Sequence, residues 1–112
     1  MSHEHHWELI ALLNNCAKEC NHCLTACLEE PDVKMLTRCI KFDIDCGEIC
    51  RLTASLLARD SEHGHHLLKE CAEVCDKCAE ECGKHARMGM EHCRKCAEAC
   101  RACAEACRKH LG

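Results

Sequence analysis

The chain has 112 residues and a formal net charge of −4; 16 residues are cysteine, and the aromatics amount to one Trp, one Phe and no Tyr. That length suits one domain with a buried core. So few aromatic residues argue against a sheet protein, the mild dispersed charge argues against nucleic-acid binding, and no stretch approaches the ~20 apolar residues of a membrane span. The start, Met1 to Glu8, has no cationic n-region, twin-arginine pair or apolar h-region. The expectation is a soluble protein kept in the reducing cytoplasm, where free thiols persist.

A first helix is expected from about His3 to Leu28, with Ser2 as N-cap. Leu9, Leu13, Cys16, Cys20, Cys23 and Cys27 follow one another at spacings of four and three, so an apolar face continues as a thiol face. Glu29-Glu30-Pro31-Asp32 breaks this helix, and Pro31 suits the first turn of the next. The second helix is expected over about Asp32 to Ala58, with Met35, Cys39, Phe42, Cys46, Ile49, Thr53 and Leu56 on its inward face and Cys50 on the border. Asp43 stands four after Cys39 and three before Cys46, where the other helices carry cysteine. It reads either as a solvated edge residue or as an oxygen ligand or proton acceptor beside the thiols.

Arg59-Asp60-Ser61 is the second turn, with Asp60 or Ser61 available to cap the third helix. That helix runs to about His85, with Leu68, Cys71, Cys75, Cys78, Cys82 and His85 in register. Gly89 breaks the chain before a fourth helix from about Met90 to His110. There Cys93, Cys96, Cys100, Cys103 and Cys107 alternate spacings of three and four, which puts every sulfur on one stripe. Four helices with short links predict an all-α fold, an antiparallel up-down-up-down four-helix bundle with a cysteine-lined core.

Antiparallel alternation gives the bundle unlike ends. One collects Leu9, Leu12, Leu13, Leu52, Leu56, Leu57, Leu67 and Leu68, an apolar plug, together with His3, His5, His6, His63, His65, His66 and His110. Those histidines read as solvated, or as a weak surface site for a borderline metal. The opposite end collects Met35, His85, Met88, Met90 and His92 beside Cys27, Cys39, Cys82 and Cys93, which suggests a tube with a mouth where ions enter. The plain alternative for the methionines is gap filling in the core.

The thiols themselves read as metal ligands. Disulfides need an oxidising compartment, a redox Cys-x-x-Cys needs its nucleophile at a helix N-terminus, and iron–sulfur or structural zinc sites draw cysteines from loops and turns. Thiolates and thioethers select Cu(I), which accepts two or three sulfurs. Sixteen buried thiolates cannot stay unpaired, so roughly 15–16 Cu(I) ions per chain are expected, each ligating thiol releasing about one proton. Empty, the protonated thiols act as small apolar groups and the bundle should stay folded. Residues 1–112 are accordingly read as one metal-storage domain without enzymatic activity. A zinc or mixed-metal thiolate store, limited to about four ions by tetrahedral sites, and a thiol redox buffer or oxidoreductase are the alternatives.

With these residues in view the chain resembles the bacterial copper storage proteins, cysteine-lined four-helix bundles. The resemblance rests on Cys16, Cys20, Cys23, Cys27, Cys39, Cys46, Cys50, Cys71, Cys75, Cys78, Cys82, Cys93, Cys96, Cys100, Cys103 and Cys107. It is closest to the cytosolic branch, because the exported branch begins with a twin-arginine signal. It implies storage of many Cu(I) ions, access through a Met- or His-lined mouth, and assembly into homotetramers; separately, a copper chaperone or low-molecular-weight thiol is the expected donor. Asp43 in the cysteine register is the departure, and it interrupts the sulfur row.

Overall fold

The computed structural model describes residues 4–112, with side chains from His6 onward. The proposed cap at Ser2, and His3 and His5 as side chains, lie outside the described residues. Four α-helices follow one another: α1 Glu4–Leu28, α2 Thr37–Ala58, α3 Gly64–Ala86 and α4 Glu91–Leu111. α1 packs on α2 and α4, and α3 packs on the same two, which gives the expected antiparallel ring in a rod of 49 × 18 × 18 Å. The rod is slim because a small residue follows many of the inward thiols. Ala17, Gly47, Ala72, Ala79, Ala97 and Ala104 are all buried in the helix seams.

The links differ from expectation in instructive ways. Pro31 lies in a turn, and Val33–Leu36 forms a separate 3-10 turn before α2 begins at Thr37. The Thr37 hydroxyl donates to the Lys34 carbonyl at 3.0 Å, so the chain tightens there before it enters the α-helix. Asp60 ends α2; it does not cap α3. It takes a left-handed φ of 58°, Ser61 N–H reaches Leu56 O at 2.9 Å, and Asp60 N–H reaches Leu57 O at 3.1 Å. This is the Schellman pattern of a helix C-terminus. Ser61 Oγ accepts from His63 N–H at 3.2 Å, and α3 starts two residues later than a Ser61 cap would place it. Gly89 adopts φ 95°, and Met90 N–H returns to His85 O at 3.2 Å, so the expected glycine break is real and has a geometric cause.

The inward face of α2 is rotated from the expected one. Cys39, Asp43, Cys46, Cys50, Thr53 and Leu57 are buried, while Phe42, Ile49 and Leu56 are half-buried and Met35 is exposed. Apolar character alone places Phe42 and Ile49 inside. Instead the sulfurs set the rotation, because Cys46 and Cys50 must both reach the thiols of α3. Phe42 then lies under the Arg38 guanidinium, 4.9 Å from the ring centre.

At the plugged end Leu9, Leu13, Leu57 and Leu68 are buried, and Leu12, Leu56 and Leu67 are half-buried. Leu52, expected in this layer, is 48% exposed, a consequence of the same rotation. Replacing the fully buried Leu13 by Ala is expected to cost the metal-free protein about 2–5 kcal/mol in chemical denaturation. Leu52→Ala should stay within about 0.5 kcal/mol, and equal losses at the two positions would contradict the plug as described.

Candidate metal centre

All sixteen cysteines are free, and every one is fully buried. Neighbouring sulfurs lie 3.2 to 4.0 Å apart, far beyond a bonded pair. They form one column along the bundle axis, to which each helix contributes its stripe. Towards the plug Cys50 meets Cys71 at 3.7 Å and Cys75 at 3.6 Å, and Cys107 belongs to the same buried core. At mid-height Cys100 reaches Cys16 at 3.6 Å and Cys20 at 3.8 Å, while Cys46 reaches Cys75 at 3.5 Å. At the other end Cys39 and Cys82 stand 3.2 Å apart, and Cys23 lies 3.8 Å from Cys27 and 3.9 Å from Cys93.

Several four-sulfur groups could each hold a metal, and they overlap. Cys16, Cys46, Cys50 and Cys75 form one; Cys16, Cys20, Cys46 and Cys100 a second; Cys20, Cys78, Cys96 and Cys100 a third; and Cys50, Cys71, Cys75 and Cys103 another. Cys16, Cys20, Cys46, Cys50, Cys75 and Cys100 thus each serve at least two groups. Separate tetrahedral ions would compete for these sulfurs, whereas two-coordinate ions can share them as bridges. The protons are shared as well. Cys100 is held well above the ordinary thiol range by its hydrogen bonds with Cys16, Cys20, Cys46 and Cys78 and by burial, which disfavours its thiolate. Hydrogen bonding with Cys100, Cys20, Cys23 and Cys78 pushes Cys96 below that range. Such a network loses protons as a unit.

Asp43 is fully buried inside this column, so the solvated-edge reading is overturned. Its Oδ1 accepts from Cys96 at 3.3 Å, Cys78 at 3.4 Å and Cys82 at 3.7 Å, and its Oδ2 accepts from Cys39 at 4.0 Å. The one carboxyl therefore gathers thiols from α2, α3 and α4. Sequence position alone could not decide this, because the rotation of α2 depends on packing against α3.

Of the five residues expected at the mouth, His92 meets the sulfurs directly. Its Nδ1 lies 3.5 Å from Cys93, 3.7 Å from Cys23 and 3.9 Å from Cys27, and its Nε2 donates to Glu30 Oε2 at 3.1 Å. His85 is buried, donates from Nε2 to Glu81 Oε2 at 3.3 Å, and leaves Nδ1 without a hydrogen-bond partner. A histidine held by a carboxylate through one nitrogen presents the other as a lone pair, an arrangement common to metal ligands. Met90 is half-buried, while Met35 and Met88 are 41% and 58% exposed. The fully buried apolar side chain at this end is Leu36, from the 3-10 turn.

Sequence reading missed Glu30, Glu81 and Leu36. Glu81 had a signal, since it stands one helical turn before His85; Glu30, in a turn, had none. Glu81 also pairs with Arg38 at 3.3 Å and Lys84 at 3.2 Å. Its burial alone would raise its pKa, but Lys84 and His85 together hold it below the usual carboxylate range.

Comparison with known proteins bears on this arrangement. The family described as Csp, copper storage protein, matches residues 2–112. The cysteine-rich protein YhjQ of Bacillus subtilis strain 168 is 44% identical over 62 residues, which are 55% of this chain and 57% of that protein. The chain thus spans little more than half the length of that curated relative. Among solved structures, the Cu(I)-bound copper storage protein BsCsp3 is 39% identical, with 96% of this chain and 99% of that chain covered and a TM-score of 0.90. A cytosolic copper storage protein from Streptomyces lividans carrying five coppers is 43% identical, with 97% and 93% covered and a TM-score of 0.92.

Burial pushes the Asp43 carboxyl up to about 11. The folded value lies above the unfolded one, so the contribution of Asp43 to stability is complete in acid and is lost as pH rises from about 4 towards 11. Asp43→Asn should therefore gain stability on the metal-free parent between pH 4 and 8, by at most about 1.4 kcal/mol per pH unit. Thiol ionisation in the unfolded chain lies above that window. Parallel stability curves for variant and parent would contradict a neutral buried Asp43.

Proposed function

Starting from the fact that the chain belongs to the copper storage protein family, we propose that it stores and buffers Cu(I) in the cytosol, holding many ions on thiolates inside a preformed bundle. The observation that carries this reading is the column of sixteen free, buried sulfurs, at least six of them shared between adjacent four-sulfur groups. Each thiolate needs about one monovalent cation to cancel its charge in the dry core, so capacity is on the order of 15–16 ions. All sixteen cysteines, from Cys16 to Cys107, act as ligands. Asp43 adds an oxygen where the sulfur row is interrupted and takes or gives a proton as neighbouring thiols are metallated.

His92 is the first protein ligand an incoming ion meets, backed by Glu30, and His85 with Glu81 forms a second station. Met90 lines the approach, with Met88 and Met35 on the outer surface. Copper arrives from a chaperone or a low-molecular-weight thiol, four copies associate as a tetramer, and residues 1–112 work as one storage domain. This role requires no catalysis. Sharing of six sulfurs disfavours a store of separate zinc tetrahedra. Burial of every sulfur disfavours a redox enzyme, which must present a thiolate to its substrate.

Titration of the reduced protein with Cu(I) against a competing chelator should saturate at roughly 15–16 equivalents, with helicity by circular dichroism unchanged from the empty state. Saturation below about eight would overturn the reading in favour of divalent tetrahedra. His92→Ala should slow uptake about ten-fold in stopped-flow measurements while removing no more than an ion or two of capacity. Uptake at the parent rate would place the access point elsewhere.

A further inference from the structure

The other end of the rod carries a ligand set of different chemistry. His6, in the first turns of α1, and His110, in the last turn of α4, are half-buried with ring centres 4.9 Å apart and planes inclined at 62°. Antiparallel packing joins the beginning of the first helix to the end of the last at this point. A zinc–nitrogen bond of about 2.0–2.1 Å, plus about 1.15 Å from nitrogen to ring centre, sets a bound ion about 3.2 Å from each centroid. Centroids separated by 4.9 Å subtend about 100° at such an ion, close to the tetrahedral angle. A groove of 260 Å³ beside His110, with Glu8 and Lys109 in its lining, runs along the same seam of α1 and α4. Leu9, Leu13, Leu57 and Leu68 separate this corner from the sulfur column.

We propose that His6 and His110 form a second metal site, for a borderline divalent cation of the zinc class, independent of the thiol core. Imidazole with carboxylate or water suits Zn²⁺ and holds Cu(I) poorly beside a core of thiolates, so the two ends sort ions by softness. An ion there ties together the two outermost helix ends and makes the closed end firmer whenever zinc is present.

The test uses protein whose thiols have first been filled with Cu(I) and whose histidines carry ¹⁵N. Zn²⁺ is added while the imidazole nitrogens are followed by NMR, so the readout belongs to these rings and is independent of core capacity. The resonances of His6 and His110 should shift together and saturate at one ion per chain, with copper content unchanged. His6→Gln and His110→Gln should each weaken zinc binding about ten-fold or more, while His65→Gln and His66→Gln, both on the exposed surface of α3, should leave it as it was. Resonances of His6 and His110 that stay fixed through the titration would reduce the pair to a ring contact and overturn the proposal. So would zinc affinity that is equal in the His6 and His110 variants and the parent.

Discussion

Everything in this molecule depends on one condition: a thiol can be buried neutral at little cost, and a thiolate can be buried only beside a cation. Sixteen cysteines in one axial column satisfy the first half of that condition, because each thiol meets neighbours 3.2 to 4.0 Å away that can accept its proton. Neutral thiols packed as small apolar groups favour a bundle that folds without metal. The second half makes the same column a receptacle. Each proton that leaves must be replaced by a positive charge, and a soft monovalent ion is the replacement that sulfur prefers.

Fold and site are in this sense the same object. Cysteine takes positions that leucine fills in an ordinary bundle, and the small residues Ala17, Gly47, Ala72, Ala79, Ala97 and Ala104 draw the helices close enough for sulfurs to meet across the axis. Leucines carry the apolar packing at the closed end. The opposite end is built differently, with Leu36 buried and with His92 and His85 each held by a carboxylate. Asp43 lies within the column itself, where a neutral carboxyl takes the place of one sulfur and accepts hydrogen bonds from three helices.

Much of this is legible in the amino-acid order. Spacings of three and four put the thiols of α1, α3 and α4 on inward stripes, and Gly89 marks a turn that its positive φ requires. The rotation of α2 is not legible, because it carries Phe42 and Ile49 in one register and Asp43 and Cys50 in another. Local hydrophobicity favours the first, and the sulfurs of α3, distant in sequence, impose the second. The turns are misread for a related reason. Asp60 has the side chain of an N-cap, but its left-handed backbone closes the preceding helix. Glu30 escapes notice because its meeting with His92 spans 62 positions and follows from no periodicity.

The most direct measurement is anomalous X-ray scattering at the copper edge from crystals filled with Cu(I) under reducing conditions. The account predicts a row of peaks along the bundle axis, each bonded to two or three sulfurs, running from His92 down to Cys107 with an oxygen contact at Asp43. Peaks on the outer surface, or sulfurs joined in pairs with the axis empty of metal, would contradict it.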